Sequence, residues 1–248
     1  MSSAALRRCG FVTPAGYASP ARGAAPGRPG SRGKAREYGA AAGGSDGVTT
    51  ETTPTLIPLL RDRRSIRTYD PAHELSGTEL RAVLEAARWS ASAGNSQPWS
   101  FLVGRRGDEA HRRFVALLSR GNRSWAPSAS ALLFSLHQVA SGPEEEAPAY
   151  SDYAMYDLGQ AVAQLGVQAA ALGLVVHQFA GFDHERLAAE CGVPGHWRVT
   201  TGIAIGRELP AEGEGDELAR ERDRRPRTRK PVSEFVHGGW FGQPADLG

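Results

Sequence analysis

Cysteine is nearly absent from this chain: Cys9 and Cys191 are the only two in 248 residues. Neither has a CxxC partner or histidines at metal-ligand spacing. A disulfide framework and a structural zinc site are therefore excluded, no metal is expected, and a reducing cytoplasm is the expected setting. No apolar run approaches the roughly eighteen residues of a membrane span, so no membrane partner is expected. The chain also lacks GxSxG, a Walker loop and HExxH, which removes the commonest nucleophile, phosphate-loop and zinc-hydrolase chemistries. Excess charge is missing too: 29 Lys and Arg face 27 Asp and Glu, a net +2, which argues against a nucleic-acid partner. Acids are scarce in one place, since Glu37 and Asp46 are the only ones before residue 51. That stretch is rich in Ala, Gly, Pro, Ser and Arg and offers little apolar surface to offset its chain entropy. Residues 1–52 are expected to be a disordered extension, and 53–248 the folded domain. Arg7-Arg8 is not followed by the apolar stretch of an export signal.

What is present reads as strands alternating with helices. Leu56, Ile57, Leu59 and Leu60 suggest a short opening helix. Ser76-Gly77-Thr78-Glu79 is a capping-box pattern, and Leu80, Val83, Leu84 and Ala87 continue it at helical spacing over 77–90. Strands are expected at 100–104, 129–137, 174–179 and 200–206, and helices at 108–119 and 152–172 and from an Asp183 cap to Cys191. On the 152–172 helix, Leu158, Val162, Leu165, Ala169 and Leu172 line one face, while Ala161, Gly166 and Ala170 keep another small. That small side suits either an internal core or a helix from a second subunit. Residues 141–150, with Glu144-Glu145-Glu146 between prolines, read as a solvated loop. Residues 211–230 are charged and poor in apolar groups, and read as an exposed excursion. An α+β or α/β sandwich follows. His137 and His177 fall in strands and read as structural.

Two short motifs carry the chemistry. The first is Arg63-Arg64-Ser65-Ile66-Arg67. In an extended segment Arg63, Ser65 and Arg67 share one face and Arg64 and Ile66 the other. Guanidinium groups flanking a hydroxyl suit a phosphate monoester and a delocalised anion, although a solvated charge cluster would read the same way. The second is Asn95-Ser96-Gln97-Pro98-Trp99 after Gly94. The amides of Asn95 and Gln97 offer donors and acceptors together, as the O–C–N–C–O edge of a pyrimidine-like ring needs. The alternative is a helix-ending turn with Trp99 in the core. With Arg227 and Arg229 as further cations, the combination suggests a bound flavin mononucleotide.

The runs RRSIRTYD, LEAARWSASAGNSQPWSF, YDLGQAVAQLGVQAAALGL and RTRKPVSEFV, with the turn Ala180-Gly181-Phe182-Asp183, resemble the nitroreductase family over roughly residues 55–240. The resemblance implies a mixed central sheet wrapped by helices, in an interlocked homodimer with two FMN sites at the interface. It implies that Arg63 and Ser65, with Arg64 adjacent, bind the FMN phosphate, and that Arg227 and Arg229 close over it. Arg67 then lies near flavin N1 and the C2 carbonyl, where negative charge gathers on reduction. Asn95 lies on the pyrimidine edge, beside Gln97, and the Ala180-Gly181 backbone approaches N5. Ala91 stands where the family often has proline, and Ala180 where it often has Gly or Glu. The implied activity passes a hydride from NADPH or NADH through FMN to a small planar electron acceptor, such as a nitroaromatic or quinone. A reductive dehalogenase, a flavin-consuming enzyme and a non-catalytic FMN binder are the alternatives. In all of them the flavin carries the chemistry and no catalytic side chain is expected.

Overall fold

The computed structural model describes residues 56–210 and 217–247. The expected disordered extension, 1–52, lies outside them. The chain enters through helix α1 (Pro58–Asp62), with Pro58 at the start, where its missing N–H costs nothing. Helix α2 (Gly77–Arg88) begins as the sequence indicates. Glu79 N–H donates to Ser76 Oγ at 3.1 Å and Ser76 N–H to Glu79 Oε2 at 2.8 Å, closing a capping box. The hydrogen bonds to Ser76 hold the Glu79 carboxyl below the usual glutamate range.

Strand β1 (Trp99–Arg105), helix α3 (Glu109–Leu117), helix α4 (Arg120–Arg123) and strand β2 (Ala131–Gln138) follow. Next come helix α5 (Ala154–Ala171), strand β3 (Val175–Phe179), helix α6 (His184–Glu190), strand β4 (Trp197–Gly206) and helix α7 (Glu217–Arg224). Asp108 and Asp183 cap α3 and α6 by accepting from the N–H groups of His111 and Arg186. The short α4 has no apolar periodicity and was not foreseen. No described helix is long and apolar enough to cross a membrane.

The strands form a sheet in the order β1-β2-β4-β3, with every pairing antiparallel. β2 is buried along nearly its whole length, because both faces of the sheet are covered. Strand alternation divides its residues between two cores. Leu132, Phe134 and Leu136 join Phe114, Trp125, Phe179 and Phe182 on one face. Leu133 joins Val83, Leu158, Leu165, Ile203 and Ile205 on the other, under α2 and α5. The expected α+β architecture is thus present. Residues 141–150 form an exposed loop closed by Ser141 N–H to Pro148 O at 2.9 Å.

Gly104 is where α3 sits closest to the sheet. A β-carbon there would lie 2.7 Å from His111 N and 2.8 Å from Phe114 Cδ2. Gly104→Ala is expected to cost about 1–3 kcal/mol through overpacking, read as a lower Tm in thermal melts followed by circular dichroism.

Three buried histidines have pKa values held down chiefly by burial: His111, His137 and His177. The folded protein therefore binds fewer protons than the unfolded chain below the ordinary imidazole value of 6.5. Stability from these groups is fully present above that pH and is lost as pH falls toward their depressed folded values. His177→Asn can still donate a hydrogen bond but does not titrate. It should flatten the fall of Tm between about pH 6.5 and 5.

Candidate functional site

The arginine motif leaves α1 as extended chain and is pinned from both sides. Ile66 is 2% exposed and fills the core, so its neighbours Arg63, Ser65 and Arg67 are left at the surface or half-buried. Asp70 N–H donates to Arg207 O and Leu209 N–H to Thr68 O, tying the segment beside the end of β4. His177 Nδ1 lies 3.0 Å from Ile66 O. A carbonyl only accepts, so Nδ1 carries the proton and the neutral imidazole is a donor there.

The C-terminal segment closes over this motif by a reciprocal clasp. Arg64 Nη1 donates to Asp223 O at 3.2 Å and Arg225 O at 2.9 Å. Arg227 answers by donating to the carbonyls of Arg63 and Arg61. The Asp223 carboxylate takes the amides of Arg67 at 2.8 Å and Thr68 at 3.1 Å through Oδ2, with the Thr68 hydroxyl at 3.0 Å. Of the exposed excursion expected over 211–230, residues 211–216 lie outside the described residues and 225–230 are exposed as expected, while 217–224 differ. Residues 217–224 are helical, with Ala219 and Asp223 buried on one face. Docking through a carboxylate rather than an apolar stripe leaves no hydrophobic signal.

Cations therefore gather from both ends of the domain. Arg227 loses water where it leans on the carbonyls, and Arg64, Arg229 and Arg63 then repel its charge. Together these lower its pKa below the ordinary arginine value, against a smaller opposing pull from Asp62. Arginine remains charged under such conditions, so the crowding is relieved by an anion. Among the described residues, Arg229 donates to its neighbour Thr228 O, at 2.7 Å.

Arg67 opens into a cavity of about 560 Å³, walled by Asn122, Ser124, Trp125, Arg222 and Arg225. Asn122 Nδ2 donates to Gly181 O at 3.0 Å, and Ser119 N–H to the same carbonyl at 2.9 Å. A β-carbon on Gly181 would sit 2.6 Å from Ser119 Oγ and 2.7 Å from Asn122 Nδ2, so the turn needs glycine to approach this closely. Exposed Ala180 precedes it, its carbonyl 3.2 Å from His184 Nε2. Through Asn122 the Ala180-Gly181 turn is thus linked to the cavity that holds Arg67. A second cleft, of about 330 Å³, runs between Arg63, Arg64 and Ile66 and the end of α5 at Gly166 and Ala170.

Asn95 and Gln97 stand apart. Both have left-handed backbones, φ 55° and 51°, after Gly94 at 60°. Two non-glycine residues in that region cost of order 1–3 kcal/mol each and persist only where the surroundings impose them. Here Ser92 Oγ accepts from Gln97 N–H at 2.9 Å, and buried Asp157 on the first turn of α5 accepts from Ala93 N–H at 3.0 Å. Both side chains are exposed, and neither lines the cavities at the arginine motif. Asn122, Ser124, Arg222, Arg225, Asp157 and Asp223 were missed from sequence. Asn122, Asp157 and Asp223 act through contacts distant in sequence, and Ser124, Arg222 and Arg225 through the wall they give the cavity.

Comparison with known proteins places the fold. A solved oxidoreductase containing FMN superposes with a TM-score of 0.69 at 31% identity, over 80% of this chain and 99% of that one. A 15.4 kDa protein of Mycolicibacterium smegmatis is 40% identical over 152 residues, 58% of this chain and 98% of that protein. The oxygen-insensitive NADPH nitroreductase of Helicobacter pylori (strain ATCC 700392 / 26695) is 39% identical over 75 residues, 30% of this chain and 35% of that protein. The profile of the nitroreductase family matches residues 60–207, from α1 through the whole sheet to the edge of the cationic clasp. Arginine motif, sheet and connecting turns coincide with that match, and the chain belongs to the nitroreductase family.

Proposed function

We propose that this chain is an FMN-dependent oxidoreductase, with residues 53–248 as its flavin-binding domain. The carrying observation is the clasp that brings the Arg63–Arg64 motif and Arg227 together, Arg64 donating to the carbonyls of Asp223 and Arg225 and Arg227 to those of Arg63 and Arg61, with Arg229 two residues on, so that cations collect where an anion can bind. A phosphate monoester meets that need, and the adjoining cavity with Arg67 and Asn122 has room for part of a flat heterocycle. When bound, FMN supplies two-electron hydride chemistry, taking electrons from NADPH or NADH and giving them to a planar electron-poor acceptor such as a nitroaromatic or quinone.

The protein's own groups then bind and orient. Arg63 and Ser65 hold the phosphate, with Arg64 fixing the arm that carries Arg227 and Arg229. Arg67 places a positive charge where the reduced ring is negative, which favours the reduced form. The Ala180-Gly181 backbone sets the height of the ring's reactive edge. Asn95 and Gln97, remote from the cation cluster of their own chain, are supplied by a second copy to the pyrimidine edge. A homodimer follows. Its contact surface uses the outer face of α5, where Met155, Tyr156, Gly159 and Ala163 are exposed, and the exposed Phe235, Trp240 and Phe241 of the C-terminal arm. Reducing cytoplasm is the setting.

The purified protein should show a flavin absorption spectrum that bleaches on anaerobic addition of NADPH or NADH. Absence of flavin even after FMN addition would overturn the reading. Arg63→Ala with Ser65→Ala removes one charged and one neutral hydrogen bond and should weaken FMN binding roughly a hundredfold, measured by fluorescence titration of apo-protein. Sedimentation should give a dimer, and a monomer that retains FMN would contradict the shared site.

A further inference from the structure

Asp223 stands behind the cavity wall rather than in it. Its side chain is 2% exposed, and Arg67 in front of it is 40% exposed. Oδ2 is saturated by the amides of Arg67 and Thr68 and by the Thr68 hydroxyl. Oδ1 has no hydrogen-bond partner, and its contact is Arg67 Nη1 at 4.0 Å. That separation is informative. A forked pair at hydrogen-bond distance would turn the guanidinium inward and neutralise it toward the cavity. At 4.0 Å the carboxylate attracts Arg67 without capturing it. The same carboxylate fixes the backbone from which Arg67 springs, so its charge and its geometry act on one residue. Arg222 and Arg225 line the same cavity. Asp223 faces Arg67 among these three, so its removal leaves the charge of Arg67 unopposed.

We propose that Asp223 is a positioning residue for Arg67: it aims the guanidinium into the cavity and moderates the positive charge met there by the flavin, thereby setting the flavin's reduction potential. This rests on the placement of Arg67 at the pyrimidine end of FMN proposed above. The carboxylate acts electrostatically and transfers no proton. It makes the bound cofactor a stronger reductant than an unopposed Arg67 would allow. Its position on α7 also couples the potential to closure of the C-terminal arm, because the group that holds the arm down is the one that moderates Arg67.

The test is the midpoint potential of the FMN-loaded protein, measured by anaerobic equilibration with a reference dye. Asp223→Asn keeps an acceptor for the Thr68 and Arg67 amides and removes the charge. It should shift the relative affinity toward reduced flavin by about tenfold, ~30 mV more positive for a two-electron couple. In an Arg67→Ala background the same substitution should give no further shift. An Asp223→Asn protein with a lower Tm and an unchanged potential would reduce Asp223 to a structural tie and overturn the proposal. An equal shift with and without Arg67 would overturn it as well, since Asp223 would then act directly. If Arg67→Ala alone leaves the potential unchanged, the placement of Arg67 at the flavin fails, an outcome separate from the failure of Asp223. Should Asp223→Asn not yield folded holoprotein, Asp223→Glu replaces it. A displaced carboxylate must then move the potential only when Arg67 is present, and a wild-type potential overturns the proposal.

Discussion

The candidate site depends on how arginines can be fixed in place without being neutralised. A guanidinium paired to a carboxylate is positioned but electrically spent. One left in water keeps its charge but has no defined direction. Here Arg64 and Arg227 take a third course and donate to main-chain carbonyls across the clasp. Carbonyl oxygens accept the hydrogen bonds and leave the net charge standing. The result is a cluster of cations held in a set geometry, with Asp62 offsetting only part of its repulsion, a condition under which an anion gains from binding. The proposed phosphate site follows from that constraint.

The fold supplies the rigid parts against which the clasp closes. β2 carries both cores of the sheet, and β4 beside it leads into the segment to which the arginine motif is tied through Asp70 and Leu209. β3 leads into the Ala180-Gly181 turn, which Asn122 and Ser119 hold to the wall of the Arg67 cavity. His177, in the same strand, reaches back to Ile66. One strand thus fixes both the backbone under the cations and the turn across the cavity.

Elements with an internal signal were legible in the sequence. The Ser76–Glu79 box marks where α2 begins, Asp183 marks α6, and the apolar spacing of Leu158, Val162, Leu165 and Ala169 marks α5. The arginine motif was legible as chemistry, since hydroxyl and guanidinium groups alternate along extended chain. α7 was not, because a helix docked through Asp223 presents the same charged composition as a solvated loop. Asn122 was invisible for a similar reason: its partner, Gly181, lies 59 residues away, and no local pattern records such a contact. Asn95 and Gln97 were legible as amides, but their left-handed backbones come from Ser92 and from Asp157 on another element.

The clasp joins residues separated by 159 to 166 positions along the chain. Contacts of that span are closed only after the loop between them has been ordered. The first arginines are synthesised early, yet the proposed phosphate site has no second wall until residue 227 has emerged. A nascent chain therefore displays its sheet and helices before it can retain a nucleotide.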